Sequence, residues 1–459
     1  MSKISIYDTK KSASLTIKEL QQLFTQHNIQ HIFFKRLASN DNSKNQIYAG
    51  SHLTDLDFIP SGDVTGTTSE SKKQTKRKII YKAPIQWSWM SPYGELYEAP
   101  NTQFIYYPQY PEVRLSGFLQ GSNVNLSQWM CPKKNGRHKD RVLFLGIKGD
   151  KVIAYFATPH SEIFKAITAK EPNLLSSVFE EIAINKLTIS SKKKLLIELQ
   201  RIHRLGWINS KRLNSKGQNL PYTAQNGGGY TLEAELGITP NGSKDPDYHG
   251  WEVKQYNVTS FGSLAAKPLT LMTPEPDGGV YVESGIINFM KQYGYLNPKK
   301  TNRLDFTGKH AAHKVNKKTQ LMFTVHGFDS TKKDITDANG YIGLVDRNQK
   351  VVASWSFTKI LDHWKNKHNK AVYIPSINRV HNNIKQYHYG HIISLFKNCN
   401  IILLLTSFSN GTIYYDPGIK MENIDTDAPK TKRRSQFRVS SKNLNQLYEQ
   451  KEEIDLNCI

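Results

Sequence analysis

The sequence predicts two folded units, a mostly β region followed by an α/β region built around a mixed sheet. Three observations carry this reading. The chain has 459 residues, more than one hydrophobic core holds before chains divide at roughly 250–300 residues. Up to about residue 160, short apolar runs of strand length are separated by clusters of Pro, Gly, Ser and Asn. Beyond that point helical periodicity sets in, and helices then alternate with strands.

Taken in order, Ile17, Leu20, Leu23 and Phe24 recur at helical spacing, and HIFFKRL after them reads as a strand. Strands follow at Ile79–Tyr81, Gln86–Trp89, Gln103–Tyr107, Val113–Leu119, Val142–Ile147 and Val152–Ala157, with SKKQTKRK as a charged loop. PNLLSSVFEEIAI and KKKLLIELQRIHRL carry apolar residues three and four apart and predict helices. The expected division is therefore 1–170, a helical linker over 171–195, and 196–459. In the last region GYTLEAELG reads as helix, GWEVKQY and QLMFTVHGF as strands, and YIGLVDRNQKVVASWSF as a hairpin turning at Arg347–Asn348. The helix TKILDHWKNKH, the strand AVYIP, the helix HYGHIISLFKNC and the strand IILLLTSF complete the pattern.

Charge narrows the partners. Lys and Arg number 62 against 39 Asp and Glu, a formal excess of +23, so some surface carries a strong positive field and polyanions are the expected partners. With 38% hydrophobic and 11% aromatic residues the chain can bury real cores and is unlike a disordered polyelectrolyte. No apolar run is long enough to span a bilayer, and MSKISIYDTKKSAS lacks the apolar core of a secretory signal. Cys131, Cys399 and Cys458 are too far apart to start a zinc site or a disulfide framework. A cytoplasmic protein in a reducing compartment is expected, with no membrane partner.

One segment carries chemistry. In GWEVKQY, strand alternation places Glu252 and Lys254 on one face and Trp251, Val253 and Gln255 on the other. Asp247 lies five residues before Glu252 in the turn-rich stretch NGSKDPDYHG, so a bend can bring its carboxylate beside that of Glu252. Two carboxylates converging with one ammonium suit phosphodiester hydrolysis: hard divalent cations prefer oxygen ligands, and an amine can orient water and offset charge on phosphorus. The preceding helix offers Glu233 as a third carboxylate, with Glu235 as the alternative. A Glu and a Lys on one strand face are more often a plain solvated ion pair.

The segment GWINSKRLNSKGQNLPYTAQNGGGYTLEAELGITPNGSKDPDYHGWEVK resembles the opening of the MvaI/BcnI restriction endonucleases, relatives of the mismatch-repair nicking enzyme MutH. The resemblance implies a C-terminal α/β restriction-endonuclease-like domain of the PD-(D/E)xK type with a mixed sheet, roughly over residues 190–459. It implies catalytic roles for Glu233, Asp247, Glu252 and Lys254, with Asp247 and Glu252 holding Mg2+. It also implies that the C-terminal part reads base edges. There Arg433, Arg434, Gln436 and Arg438 are residue types that pair with guanine or adenine in the major groove, and Asp416 can accept from cytosine. An exposed basic strand touching only phosphates is the plainer alternative. His388 and His391, three apart in a stretch read as helix, and the loop residue His249 are read as structural or solvated.

Upstream, FFKRLASNDNSKNQIYAG and PEVRLSGF resemble the two DNA-gripping arms of EcoRII-type effector domains, a β-pseudobarrel shared with a family of plant transcription factors. The resemblance assigns Lys35, Asn40, Asp41, Lys44, Asn45 and Gln46 to one arm and Glu112, Arg114 and Ser116 to the other. Trp87 and Trp89 are read as core rather than as a stacking platform. Together the two resemblances imply a monomeric type II restriction endonuclease that hydrolyses duplex DNA with Mg2+ at a CC(A/T)GG-like site and binds a second copy of the site through its N-terminal domain. The competing expectations are a non-catalytic, sequence-specific DNA-binding regulator and a nicking enzyme that cuts one strand.

Overall fold

The computed structural model describes residues 7–29, 31–41, 46–69, 78–131, 134, 138–169, 178–183, 191–240, 246–262 and 268–459, with only the backbone of 365–367. The chain divides into two compact units, Met1–Ile189 and Ser190–Ile459.

The first unit is two sheets. Six strands run in the order Glu180–Ala183, His31–Leu37, Arg141–Lys148, Lys151–Ala157, Gln86–Met90 and Leu96–Glu98, antiparallel except where Lys151–Ala157 lies parallel to Gln86–Met90. The second sheet has five, in the order Gln46–Gly50, Glu112–Ser116, Gln103–Tyr107, Ile79–Pro84 and Thr65–Thr68. The helix Ile17–Gln26 starts with a Thr16/Glu19 capping box and buries Leu20 and Phe24. Trp87 and Trp89 are buried core residues, as the alternation predicts.

Glu180–Ala183 corrects the helix expected over PNLLSSVFEEIAI, of which 172–177 and 184 lie outside the described residues. Pairing decides here: the segment adds an antiparallel edge to His31–Leu37, and Glu180 accepts from Arg36 Nε at 3.0 Å. A free sheet edge satisfies its backbone groups, whereas a short helix gains little by itself.

The second unit centres on a mixed sheet in the order Ile208–Asn209, Ile384–Tyr389, Lys370–His381, Ile392–Lys397, Gln450–Asp455, with Glu252–Asn257 parallel to Lys370–His381. Leu195, Leu199 and Ile202 of the helix Ser191–Arg204 and Leu232 of the helix Gly227–Glu235 form one core with Trp251, Val253, Val372, Ile374, Tyr387 and Tyr389. The helix Phe357–Lys367 and the hairpin of Tyr341–Val345 with Val351–Ser356 form as the sequence predicts.

Two other expectations are overturned in this unit. HYGHIISLFKNC is not helical; Ile384–Tyr389 and Ile392–Lys397 are strands on either side of a turn. Tyr387 and Tyr389 in the first strand, and Ile393 and Leu395 in the second, are buried two apart, a period hidden by the three-residue interval between His388 and His391 that straddles the turn. IILLLTSF, expected as a strand, is the helix Ile401–Ser409. An unbroken apolar run fits a buried element of either kind, and Asn400 settles it by accepting from the Leu403 N–H at 2.8 Å as N-cap. No helix among the described residues is long and apolar enough to cross a membrane.

Candidate active site

The site is built by one tight turn and one strand. Tyr248 and Trp251 exchange both backbone hydrogen bonds at 2.9 Å, and the two residues between them, His249 and Gly250, have φ of 47° and 83°. Positive φ at both central positions gives the twist that closes a two-residue hairpin, and glycine takes it without a Cβ penalty. Asp247 and Glu252 therefore flank the same turn. Asp247 Oδ2 accepts the Val253 N–H at 3.0 Å, which fixes its carboxylate beside the strand Glu252–Asn257.

Along that strand Trp251 and Val253 enter the apolar core, and Glu252 and Lys254 alternate with them. The Glu252 side chain is 1% exposed and that of Lys254 25% exposed. Lys254 Nζ donates to Glu252 Oε1, while Glu252 Oε2 is buried with no hydrogen-bond partner among the described residues. Burial works against the Lys254 charge, but the Glu252 and Asp247 carboxylates and the hydrogen bond outweigh it and hold the ammonium above its ordinary range.

The helix Gly227–Glu235 closes the cleft. A Cβ on Gly227 would lie 2.6 Å from Ser210 Oγ, and one on Gly228 2.7 Å from Gln255 Oε1, so these glycines let the helix start directly against the sheet. Glu233, Tyr230 and Asn226 then line the same cleft of about 320 Å³ as Asp247, Glu252 and Lys254. Glu235 faces elsewhere, paired to Lys211 at 2.7 Å and Arg201 at 3.4 Å. Sequence reasoning missed Tyr230, although it stands one turn before Glu233 on the same helix face. Among the described residues no group of three or more His, Cys, Asp or Glu side chains stands ready to hold a metal ion. Asp247 and the unpaired oxygen of Glu252 could still hold a hard cation that keeps other positions for water and phosphate.

The family model of the MvaI/BcnI restriction endonucleases matches residues 196–448, more than half of the chain. The chain belongs to the MvaI/BcnI restriction endonuclease family. It is accordingly a site-specific deoxyribonuclease of the type II restriction class. Among solved structures it is similar to the restriction endonuclease MvaI in complex with a cognate DNA substrate, at 20% identity over 58% of this chain and 99% of that chain with a TM-score of 0.44. It is also similar to MvaI in the absence of DNA, at 19% identity over 59% and 100%, with a TM-score of 0.33. No curated protein matches it.

The residues proposed to read DNA in this endonuclease unit gather around a three-stranded sheet of Pro268–Met272, Phe437–Ser440 and Ile413–Tyr415. Arg438 Nη1 donates to Asp416 Oδ2 at 2.8 Å and Nη2 to the Pro268 carbonyl at 3.1 Å. Gln436 is buried, with Thr270 Oγ1 donating to its Oε1 at 3.4 Å, whereas Arg433 and Arg434 are exposed. His388 stacks on His203 at 5.5 Å between ring centroids, and its pKa is lowered by burial and then by the neighbouring His203. His249 is an exposed turn residue.

In the N-terminal unit, Gln46 and Ser116 are direct partners across two strands. Arg114 lies between Glu112 at 2.9 Å and Gln46 at 3.2 Å, with its guanidinium over the Tyr107 ring. Asn40 is exposed, while Lys44 and Asn45 lie outside the described residues. Lys35 and Asp41 are buried and paired to each other, and Asp41 also accepts the Ala38 N–H at 2.6 Å and the Tyr48 N–H at 3.1 Å. That carboxylate is thereby committed to shaping the loop.

Proposed function

We propose that this enzyme hydrolyses duplex DNA at a CC(A/T)GG-like site with Mg2+, using Asp247, Glu252, Lys254 and Glu233. The observation that carries the reading is the set of three carboxylates and one ammonium lining one cleft, with a buried Glu252 oxygen that no protein donor among the described residues satisfies. Such an oxygen is costly unless a cation or water completes it. A divalent ion held by Asp247 and Glu252 would supply Lewis-acid polarisation of the scissile phosphate. Lys254 orients the attacking water and offsets charge on the phosphate oxygens as the new bond forms. Glu233, which lines the same cleft from the helix Gly227–Glu235, accepts a hydrogen bond from that water and limits its approach.

Asp416, Arg433, Arg434, Gln436 and Arg438 are proposed to read the site, Arg438 through a guanine contact made alongside its pairing with Asp416. The N-terminal unit is proposed as an EcoRII-like effector pseudobarrel that binds a second copy of the site through Asn40, Lys44, Asn45, Gln46, Glu112, Arg114 and Ser116, while Lys35 and Asp41 brace that arm. The enzyme is proposed to act as a monomer that cuts the strands in turn.

The test is incubation of plasmid with Mg2+ or with chelator. Discrete linear fragments only with Mg2+ are expected, and Lys254→Ala should bind DNA but cut slower by on the order of a hundredfold or more. Intact plasmid with a mobility shift, or open circles that never become linear, would replace this reading by a regulator or a nicking enzyme. Deleting residues 1–170 should abolish stimulation by a second site; equal activity on one-site and two-site substrates before and after deletion refutes the effector role.

A further inference from the structure

Beside the strand of Glu252 and Lys254 lies a polar chain that the site does not use. Tyr373 is the register partner of Lys254 on the neighbouring parallel strand. Its hydroxyl lies 3.0 Å from that of Tyr448, and the Tyr448 hydroxyl lies 3.0 Å from His368 Nδ1. His368 Nε2 in turn lies 2.9 Å from the Leu271 carbonyl. Tyr373, Tyr448 and His368 are 1%, 5% and 0% exposed, and Trp364 stacks on the His368 ring at 4.1 Å.

A carbonyl only accepts, so His368 Nε2 carries the proton and donates to Leu271. In the neutral ring Nδ1 then accepts from the Tyr448 hydroxyl, whose oxygen accepts from Tyr373. Tyr373, beside Lys254, keeps acceptor capacity. The far end is as specific. Leu271 sits where the pairing of Pro268–Met272 with Phe437–Ser440 shifts register between Thr270 and Met272, so the irregularity accompanies a carbonyl bonded to His368. The flanking residues are those that hold the proposed readers: Thr270 donates to Gln436, and Arg438 is the register partner of Thr270 and donates to the Pro268 carbonyl.

We propose that Tyr373, Tyr448 and His368 form a positioning relay that couples the base-reading strands to the Lys254–Glu252 pair, so that a correctly seated site sets the geometry in which cleavage occurs. The relay rests on the assignment above of Lys254 and Glu252 to chemistry and of Gln436 and Arg438 to recognition. Its physical basis is that three large side chains in a dry interior carry polar atoms only at a cost, recovered when every member is bonded in one direction. Displacement of the Leu271 carbonyl then changes the hydrogen bonds along the chain up to the neighbour of Lys254, a discrete route between the two ends.

The test uses the full chain in single-turnover cleavage of a cognate duplex and of duplexes with one base pair changed, alongside DNA affinity. Tyr448→Phe and His368→Leu should each slow cognate cleavage by about tenfold, as one lost buried hydrogen bond permits, with affinity within about twofold. The rate ratio of cognate to altered duplex should narrow by a similar factor, and the double variant should be no worse than either single one. His368→Gln should retain most of the wild-type rate, since its amide can donate to Leu271 and accept from Tyr448. If Tyr448→Phe does not fold, Tyr373→Phe breaks the same chain and is read the same way. A cognate-to-altered ratio equal to wild type, or additive losses in the double variant, overturns the relay. Lys254→Ala separates the two failures: normal cleavage by that variant removes the catalytic assignment itself, whereas an inert Lys254→Ala beside a wild-type ratio in Tyr448→Phe removes only the relay.

Discussion

Replacing Lys254 by Met keeps the aliphatic stem and removes the charge, and its effect should be readable without any cleavage. Glu252 is fully buried, its Oε2 is already unpartnered among the described residues, and its Oε1 is bonded to Lys254. The variant without metal must bury an unpaired carboxylate. Breaking a buried pair costs about 3–5 kcal/mol, and the 25% exposure of Lys254 lets water in, which places the loss at the lower end, about 3 kcal/mol. For a unit of this size each kcal/mol is worth about 2–4 °C, so melting in chelator should fall by about 6–12 °C. Mg2+ replaces the missing positive charge, and binding at a hundred times its dissociation constant returns about 2.7 kcal/mol. The Mg2+-induced rise should therefore be larger in Lys254→Met than in wild type, where the ammonium competes for Oε1. Differential scanning calorimetry at several Mg2+ concentrations measures all of this. A variant that melts with wild type in chelator, or gains no more from Mg2+ than wild type does, refutes the Glu252 carboxylate as a preformed cation ligand that Lys254 neutralises in the absence of metal.

Three further outcomes are expected. Gly250→Ala meets no atom within 4 Å of the added Cβ but must hold φ at 83°, so it should cost about 1–2 kcal/mol and raise the Mg2+ concentration for half-maximal cleavage by moving Asp247; an unchanged Mg2+ dependence rules this out. Arg438→Ala should narrow discrimination between cognate and singly altered sites by about 1–3 kcal/mol, measured as a ratio of cleavage rates, and an unchanged ratio would mean that Arg438 only braces Asp416. His310 is buried against Tyr415, and burial lowers its pKa from 6.5 to about 4, partly offset by the Gly308 backbone and Asp416. The unfolded chain then binds more protons between these values, so stability is whole above pH 6.5 and falls as pH drops toward 4, by up to about 3 kcal/mol. Melting curves from pH 7 to 4.5 should be flatter for His310→Gln, and equal slopes would remove His310 as the cause.

The segment around Asp247 and Lys254 was legible because its determinants are local. Glycine at 250 permits the turn, and strand alternation separates Glu252 and Lys254 from Trp251 and Val253; the geometry of a few residues suffices for both inferences. Glu233 over Glu235 was not decidable, since the choice depends on Lys211 and Arg201 claiming Glu235 from elsewhere in the chain. The same limit explains Lys35 and Asp41: polar residues six apart read equally well as a groove contact or as a mutual pair, and only burial chooses. Apolar runs fail in another way. Ile401–Ser409 and Ile392–Lys397 are similar in composition, yet one is capped by Asn400 into a helix and the other finds the free edge of Lys370–His381. What is least visible in sequence is any polar bond between distant residues. Tyr448 bonds to residues 75 and 80 positions away, and each of the three, taken alone, is an ordinary core residue. Their meaning lies in their direction: a histidine that must donate to Leu271 leaves its other nitrogen for one tyrosine, which leaves its oxygen for the next, and the sequence of obligations ends beside the amine at which cleavage is proposed to occur.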